Sequence, residues 1–576
     1  MPGLGSFRLP ATALRRATAA VPRNHSVLNG GAQVRTYASR QTTQRLAKTA
    51  RLTLIFGASA AVIYYYPTIT GFISGELTEE EKKAEESAKL KPSKAEIKVQ
   101  SKVPQTTIDA IPKSWDEPGV YLWGLNTNKV ADPTSKEAYI RVPKRLKHFD
   151  GQLLRDVKLR HDFGAAVTEK GDVVQWGKGF DEKEFNPTTT LTGKDITKIT
   201  VSSDRVIALS KKGGVYSIPA SKADLVAGKK DLEAESASTD GSWLSPIWPS
   251  SNSSSGLSFR TITPSGLARG ESVVDISSGT DHCLFLTNKG RVFAAASSTS
   301  EFPANGQMGI PGLRWETRPA GPYYQAHEIK DLKGVEATQI ATGDKHSLVL
   351  AKDGSVYGFG DNMFGQLGMV NPSGTTLTEK PVKIPTRTMY GRAVDPKFTT
   401  IAAGGNNSFF STLSPNNHNI TDMWAAGQGH LGSLGTGRWL HMTSTPGRVK
   451  GLSGLTEYSD AAGGIVPITA SQMSIGTTHA AAVLQGAAAP DKGHDVVVWG
   501  GNEHFQLGTG KRTNLNAPTN IPPTDVPEDV VLLENQRMQV APRRTVTVGG
   551  KKGRKVTLTQ KIECGEYVSA LYSTPA

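Results

Sequence analysis

From about residue 118 to the C-terminus, short apolar runs come in pairs, each pair joined by a polar turn that contains glycine. The clearest pair is "HSLVLAKDGSVYGFG" (346–360). Its two runs, "SLVLA" and "SVYGF", have the length and β-propensity of strands, and Asp353-Gly354 between them marks a hairpin. An Asp-Gly pair predicts a type I′ turn, in which both central residues take positive φ. Related windows occupy 160–177, 202–219, 279–296, 404–426 and 476–500, with Gly171, Gly213, Gly290 and Gly493 at the equivalent turn. The second run ends in an aromatic slot followed by glycine. That slot falls at Trp176, Ile218, Ala295, Phe359, Trp424 and Trp499, and neighbours lie from 42 residues (176 to 218) to 77 residues (218 to 295) apart. Loops therefore vary while the hairpin persists. One hairpin cannot bury both faces and is marginal alone. Radial stacking solves this, so the pattern predicts an all-β fold, a β-propeller.

The ends of the pattern predict how the ring closes. "PGVYLWG" (118–124) is a second strand with no first strand before it, and "CGEYVSALY" (564–572) is a first strand with no second after it. Pairing them makes one composite blade and removes two open edges. With the six hairpins above, the propeller has seven blades, the composite blade being blade 1. "GQGHLG" (427–432) fits a dinucleotide-binding expression after a strand, but "SLGTGRWL" behind it offers no helix, so no cofactor site is read there.

Ahead of the propeller the pattern changes. "LTLIFGASAAVIYYYPTITGFISG" (52–75) carries no charge over 24 residues. As a helix it reaches about 36 Å, enough for the hydrocarbon core of a bilayer. The formal charge of +14 is concentrated before this span: residues 1–51 hold nine Lys and Arg and no acid, and the first carboxylate is Glu76. Subtracting those nine leaves +5 (14 − 9) on the rest. The overall charge is therefore a targeting signal, not a nucleic-acid signal. Residues 1–37 read as a mitochondrial transit peptide, with "RTYAS" (35–39) as a cleavage motif. Residues 38–51 form a basic matrix-side flank, 52–75 one transmembrane helix, 76–114 a charged stalk, and 115–573 the propeller. The basic flank places the propeller in the intermembrane space, with the matrix as the alternative because Pro67 near the span favours passage inward.

Few residues point to chemistry. Two cysteines, Cys283 and Cys564, exclude a disulfide framework and a multi-cysteine metal site; they fall in blades 4 and 1 and are expected to be buried free thiols. His282, His346 and His479 share one repeat position. Packed sheets lie roughly 10 Å apart, too far for one metal, so each histidine is expected to bond backbone within its own blade. No catalytic, cofactor-binding or metal-binding set stands out, and the chain is read as a non-enzyme. Two segments remain as interaction candidates. One is "PRRTVTVGGKKGRKVTLTQK" (542–561), with Arg543, Arg544, Lys551, Lys552, Arg554 and Lys555 around a glycine-rich turn, suited to anionic lipid or ribosomal RNA. The other is the Ser-rich loop 240–259, with Trp243 and Trp248 either as partner anchors or packed back on the propeller.

The repeat resembles that of the regulator-of-chromosome-condensation family. "HSLVLAKDGSVYGFGDNMFGQLG" (346–368) matches its signature very closely and "VVVWGGNEHFQLGTG" (496–510) closely, and the resemblance covers roughly 115–573. Ile218, Pro219, Ala295 and Ala296 depart from the aromatic-glycine pair, and blades 2 and 3 lack the F-G-Q-L-G ending. With the transit peptide and span, the chain is similar to fungal inner-membrane members of the family. That resemblance implies a scaffold for assembling respiratory complex III, late, when the Rieske subunit is added, with inner-membrane proteins as partners and no cofactor. It leaves two alternatives: nucleotide exchange on a small mitochondrial GTPase, and association with mitochondrial ribosomal RNA.

Overall fold

Seven antiparallel sheets make the blades of a propeller in the computed structural model, which describes residues 113–227, 259–298, 301–317, 324–370, 374–391, 396–415, 417–486, 493–524, 536–548 and 553–576. The chain divides into two compact units, 1–110 and 111–576, and the propeller is the second. The transit peptide, the flank, the span and the stalk up to Pro112 lie outside the described residues. Among the described residues, no helix is long and apolar enough to cross a membrane.

Blade 5 shows the plan. Its inner strand Ala337–Thr342 pairs with His346–Ala351, which pairs with Val356–Asp361, which pairs with the outer strand Leu377–Lys383. Blades 2, 3, 4 and 6 span 154–191, 196–261, 273–328 and 398–448 in the same order, and blade 7 repeats it over 464–520 with two added strands, Thr456–Ser459 beside its inner strand and Gln539–Val540 beside its third. Blade 1 takes its inner two strands, Arg554–Cys564 and Val568–Pro575, from the end of the chain, and its outer two, Val120–Leu125 and Tyr139–Arg145, from the beginning. Val120 opposes Tyr572, and the register runs unbroken to Gly124 opposite Val568. The predicted closure is therefore correct.

The turn chemistry differs from the expectation. Gly354 N–H donates to Ala351 and Ala351 N–H to Ser355, so the loop has three residues, and only Gly354 (φ +82°) is left-handed. This is a type I turn followed by a glycine bulge, which suits strand twist equally well. Gly171, Gly213 and Gly290 repeat it. Gly493 does not; an added Cβ there would lie 2.5 Å from the Trp115 ring.

The aromatic slot also needs one correction. Phe359 opposes Ser347 and Trp499 opposes Ala480, each one step beyond the histidine pair. In blade 6 that register position is Ala426, opposite Ser408, whereas Trp424 opposes Phe410. Trp424 instead meets Tyr390 edge-on at 5.1 Å.

The apolar cores sit in the seams between blades. Successive side chains of a strand point to opposite faces, so Leu348 and Leu350 pack toward blade 6 with Ile401 and Phe410, while Val349 packs toward blade 4 with Leu284 and Leu286. Every seam is filled from both sides, and every blade is completed within 111–576. The ring thus contains all that it needs to fold without residues 1–110.

The two faces are distinct. The upper face carries the turns after the inner strands and the long loops before the outer strands. The lower face carries the glycine turns and the crossings to the next blade. Val120 begins a strand that runs from lower to upper face, so the chain enters the ring from below. There Ser114, Trp115 and Asp116 are held by Gln560, Gln539 and Arg544.

Candidate functional site

Each histidine of the repeat reaches into the next blade, not back to its own backbone. His282, His346 and His479 Nε2 lie 2.9, 2.8 and 2.7 Å from the hydroxyls of Ser347, Ser408 and Ser569. Ser347 and Ser569 in turn donate to the carbonyls of Gln307 and Gln506. A serine that donates onward must accept from the ring, so Nε2 carries the proton in His282 and His479. Burial pushes His346 and His479 down to about 3, so both are neutral. The rings fit because glycine stands three residues earlier. A Cβ on Gly343 would lie 2.1 Å from His346 Cε1 and 2.5 Å from the Gly405 carbonyl of blade 6. The histidines are seam fasteners.

A second set of fasteners comes from β-bulges in the inner strands, which re-aim one side chain. Gln339 both donates to and accepts from the backbone of Ile401, and Gln472 does the same with Ile562. Asp156 accepts the Ile199 N–H at 3.0 Å. The sequence displays these residues as polar interruptions in apolar strands, and nothing in it says that each faces the next blade.

Along the axis the inner strands of all seven blades surround a cavity of about 180 Å³. Lys158 and Glu563, on the adjacent blades 2 and 1, pair in its wall at 2.7 Å. Near the upper mouth Glu566 takes Arg160 at 3.1 Å and His161 at 2.8 Å, and this bond to Glu566 raises the His161 pKa. Asp344 is half-buried beside them. Burial, then the Glu566 charge, push it up to about 6. Among the described residues no group of three or more His, Cys, Asp or Glu is placed to hold a metal. Cys283 and Cys564 are both buried and free.

The upper loops clamp the neighbouring blade. Trp123, Trp176 and Trp499 are fully buried, and their indoles donate to Gln506, Val130 and Ser433 of the preceding blade's loop at 2.8 to 2.9 Å. Between blades 7 and 1 the loop departs from its pattern: Phe505 stands where blade 5 has Gly365, yet keeps the left-handed backbone (φ +63°). Its ring packs on Tyr139 at 5.7 Å, with Arg141 and Arg512 over it. The sequence signal was the missing glycine in "HFQLG". On the upper face, Met363 (62%) and Val370 (74%) in the blade 5 loop, Trp439 (57%) in the blade 6 loop and Met442 (52%) at the start of the blade 6 outer strand are exposed. The blade 5 loop touches that strand, because an added Cβ on Gly365 would lie 2.4 Å from Ser444.

Of the residues singled out from sequence, Arg543, Arg544, Arg554 and Lys555 sit on one hairpin, Arg544–Val548 with Arg554–Cys564, on the lower face of blade 1. Arg544 pairs with Asp116 at 2.7 Å and Arg554 pairs with Glu169, while Arg543 and Lys555 are exposed. Lys551, Lys552, Trp243 and Trp248 lie outside the described residues.

Comparison with known proteins agrees with this geometry. The model of the regulator of chromosome condensation (RCC1) repeat matches residues 337–366 and 353–411, across blades 5 and 6. The chain carries RCC1 repeats. Protein FMP25, mitochondrial, from Saccharomyces cerevisiae is 27% identical over 469 residues, 76% of this chain and 72% of that protein. The RCC1-like G exchanging factor-like protein of Mus musculus is 29% identical over 259 residues, but these are 45% of this chain and 47% of that protein. Among solved structures, human WBSCR16 aligns with a TM-score of 0.52 at 19% identity, covering 80% of this chain and 99% of that one. That likeness concerns the fold.

Proposed function

We propose that this protein is a mitochondrial, membrane-tethered RCC1-repeat propeller that acts as an interaction scaffold in assembling a respiratory complex, specifically complex III at the stage of Rieske subunit addition. The observation that carries the scaffold reading is the contrast between interior and rim. The repeat histidines and bulge residues are engaged in seams, while Met363, Val370, Trp439 and Met442 face solvent on the upper rim of blades 5 and 6. Exposed apolar patches of this kind mark protein contacts. The acid-free basic N-terminus and the likeness to a relative named as mitochondrial support the compartment. The uncharged stretch 52–75 supports the tether, which raises the local concentration of the propeller at the bilayer.

The test is complementation with a form that keeps 1–51 but lacks 52–75. It should enter mitochondria, leave the membrane fraction on carbonate extraction, and fail to restore the Rieske subunit to complex III on native gels. Normal respiration with this untethered form would sink the tether. Trp439→Ala with Met442→Ala should weaken the same readout while the protein stays membrane-bound.

The name of the mouse relative favours a second reading, nucleotide exchange on a mitochondrial GTPase. Stimulated GDP release by the purified propeller, measured across candidate GTPases, would decide for it.

A further inference from the structure

The inner strands of blades 2 to 5 have six residues each, whereas Gly464–Ile475 of blade 7 has twelve and Arg554–Cys564 of blade 1 has eleven. The excess projects from the lower face. In blade 7 it pairs with Thr456–Ser459, and in blade 1 with Arg544–Val548. Two hairpins on neighbouring blades therefore stand below the ring.

Their heights are linked. The Gln472 side chain bonds the backbone of Ile562, which fixes one strand against the other. Ile465 is seven residues before Gln472 and Lys555 seven before Ile562 (472 − 465 and 562 − 555). At roughly 3.3 Å per residue both lie about 23 Å below that bond, within about one residue given the bulge at 470–472. The tips differ in chemistry. Tyr458 and Ile465 are direct cross-strand partners, 67% and 75% exposed. Ala461 and Ala462 at the turn are exposed too, and Asp460 is the one acid of that turn. The blade 1 hairpin presents Lys555 near its tip, with Arg554 exposed but paired to Glu169; Arg543, just before Arg544 opposite Leu558, is exposed nearer the ring.

We propose that the lower face is a peripheral membrane-contact surface, in which Tyr458 and Ile465 enter the interface of an anionic bilayer and Lys555 meets its headgroups, with Arg543 set back toward the ring on the same face. The pairing of an apolar tip with a cationic one at a common height fits a plane that is apolar inside and anionic at its surface. The described chain also enters the ring on this face, at Lys113–Asp116. The proposal rests on the membrane tether of the preceding section and adds an orientation: the lower face lies on the lipid and the exposed loops of blades 5 and 6 point away.

The test uses the propeller alone, residues 111–576, in flotation with vesicles of phosphatidylcholine and phosphatidylglycerol in equal parts and with phosphatidylcholine alone. Binding to the anionic vesicles only, weakened by salt, is expected. Lys555→Gln should weaken it about fivefold and Arg543→Gln, set back from the tip, by less, and Tyr458→Ser with Ile465→Ser should weaken it at every salt concentration. All four positions are exposed, so an unchanged melting temperature verifies that the variants fold. No binding, equal binding to neutral vesicles, or indifference to both sets of variants would overturn the proposal. So would binding to an RNA oligonucleotide in preference to the vesicles. Loss of vesicle binding by 111–576 with full-length protein still resisting carbonate extraction would reject this surface and leave the tether standing.

Discussion

Asp344 and Gly343 sit side by side on the axis, and each makes a prediction. Asp344 has a folded pKa raised to about 6 by burial and by Glu566, against 3.8 for the unconstrained group. A raised carboxyl pKa contributes stability below the unfolded value, and that contribution is lost as pH rises through the folded one. Asp344→Asn should therefore be more stable than the parent above pH about 7, with the advantage fading as pH falls from 6 toward 3.8. Urea midpoints across that range measure it, and a constant difference would contradict the assignment. Gly343→Ala drives a Cβ into the His346 ring and the Gly405 carbonyl, and should lower stability by several kcal/mol, on the order of the large core penalties. Gly464→Ala, with open space around it and no positive φ, should change it by less than about 0.5 kcal/mol.

At the scale of elements, the loops that clamp the next blade carry the closure. Gln506 lends one carbonyl to both Trp123 Nε1 and Ser569 Oγ. Trp123→Phe should cost at least about 1 kcal/mol and Ser569→Ala about 2–3 kcal/mol, since the latter also leaves His479 Nε2–H without its acceptor. The double variant should cost more than their sum, because the carbonyl then loses both donors. Phe505 offers a converse test. Phe505→Ala keeps a left-handed backbone and loses the ring, for about 3 kcal/mol or more. Phe505→Gly should be about 1 kcal/mol better than alanine, since only glycine is at ease at φ +63°. Thermal melts of the pair give the order directly. The missing glycine was visible in the sequence, but its reason was not: Phe505 packs on Tyr139 and Arg141, more than 350 residues earlier in the chain.

For the whole molecule, closure by strands from both ends predicts one cooperative unit. Removing residues 565–576 deletes the strand between Val120–Leu125 and Arg554–Cys564. A ring so opened should lose its single sharp melting transition and elute as aggregate; a folded, monomeric product would refute the closure. Blade number, hairpin positions and the composite blade could be read from the chain because they follow from local matters: strand length, turn glycines, and two half-hairpins with no other partner. The turn subtype could not, since Asp-Gly serves two hairpin geometries and the loop length depends on register. Nor could the slot at Ala426, where a tryptophan two residues away drew the reading. The candidate site was legible only as residue types: Arg543 and Lys555 stood out by charge, whereas nothing in the pattern marked Tyr458 or Ile465.

By itself, then, the sequence determined that hairpins form, that seven blades close a ring, and that a basic, acid-free segment and an uncharged stretch precede it. Backbone hydrogen bonding, turn conformation and hydrophobic patterning act over a few residues and leave their marks there. The tertiary structure alone decided that the repeat histidines fasten serines of the next blade, that bulged glutamines bond across seams, and that two lengthened hairpins share one height below the ring. Those outcomes depend on distances between residues remote in the chain, and such distances exist only once the ring has closed.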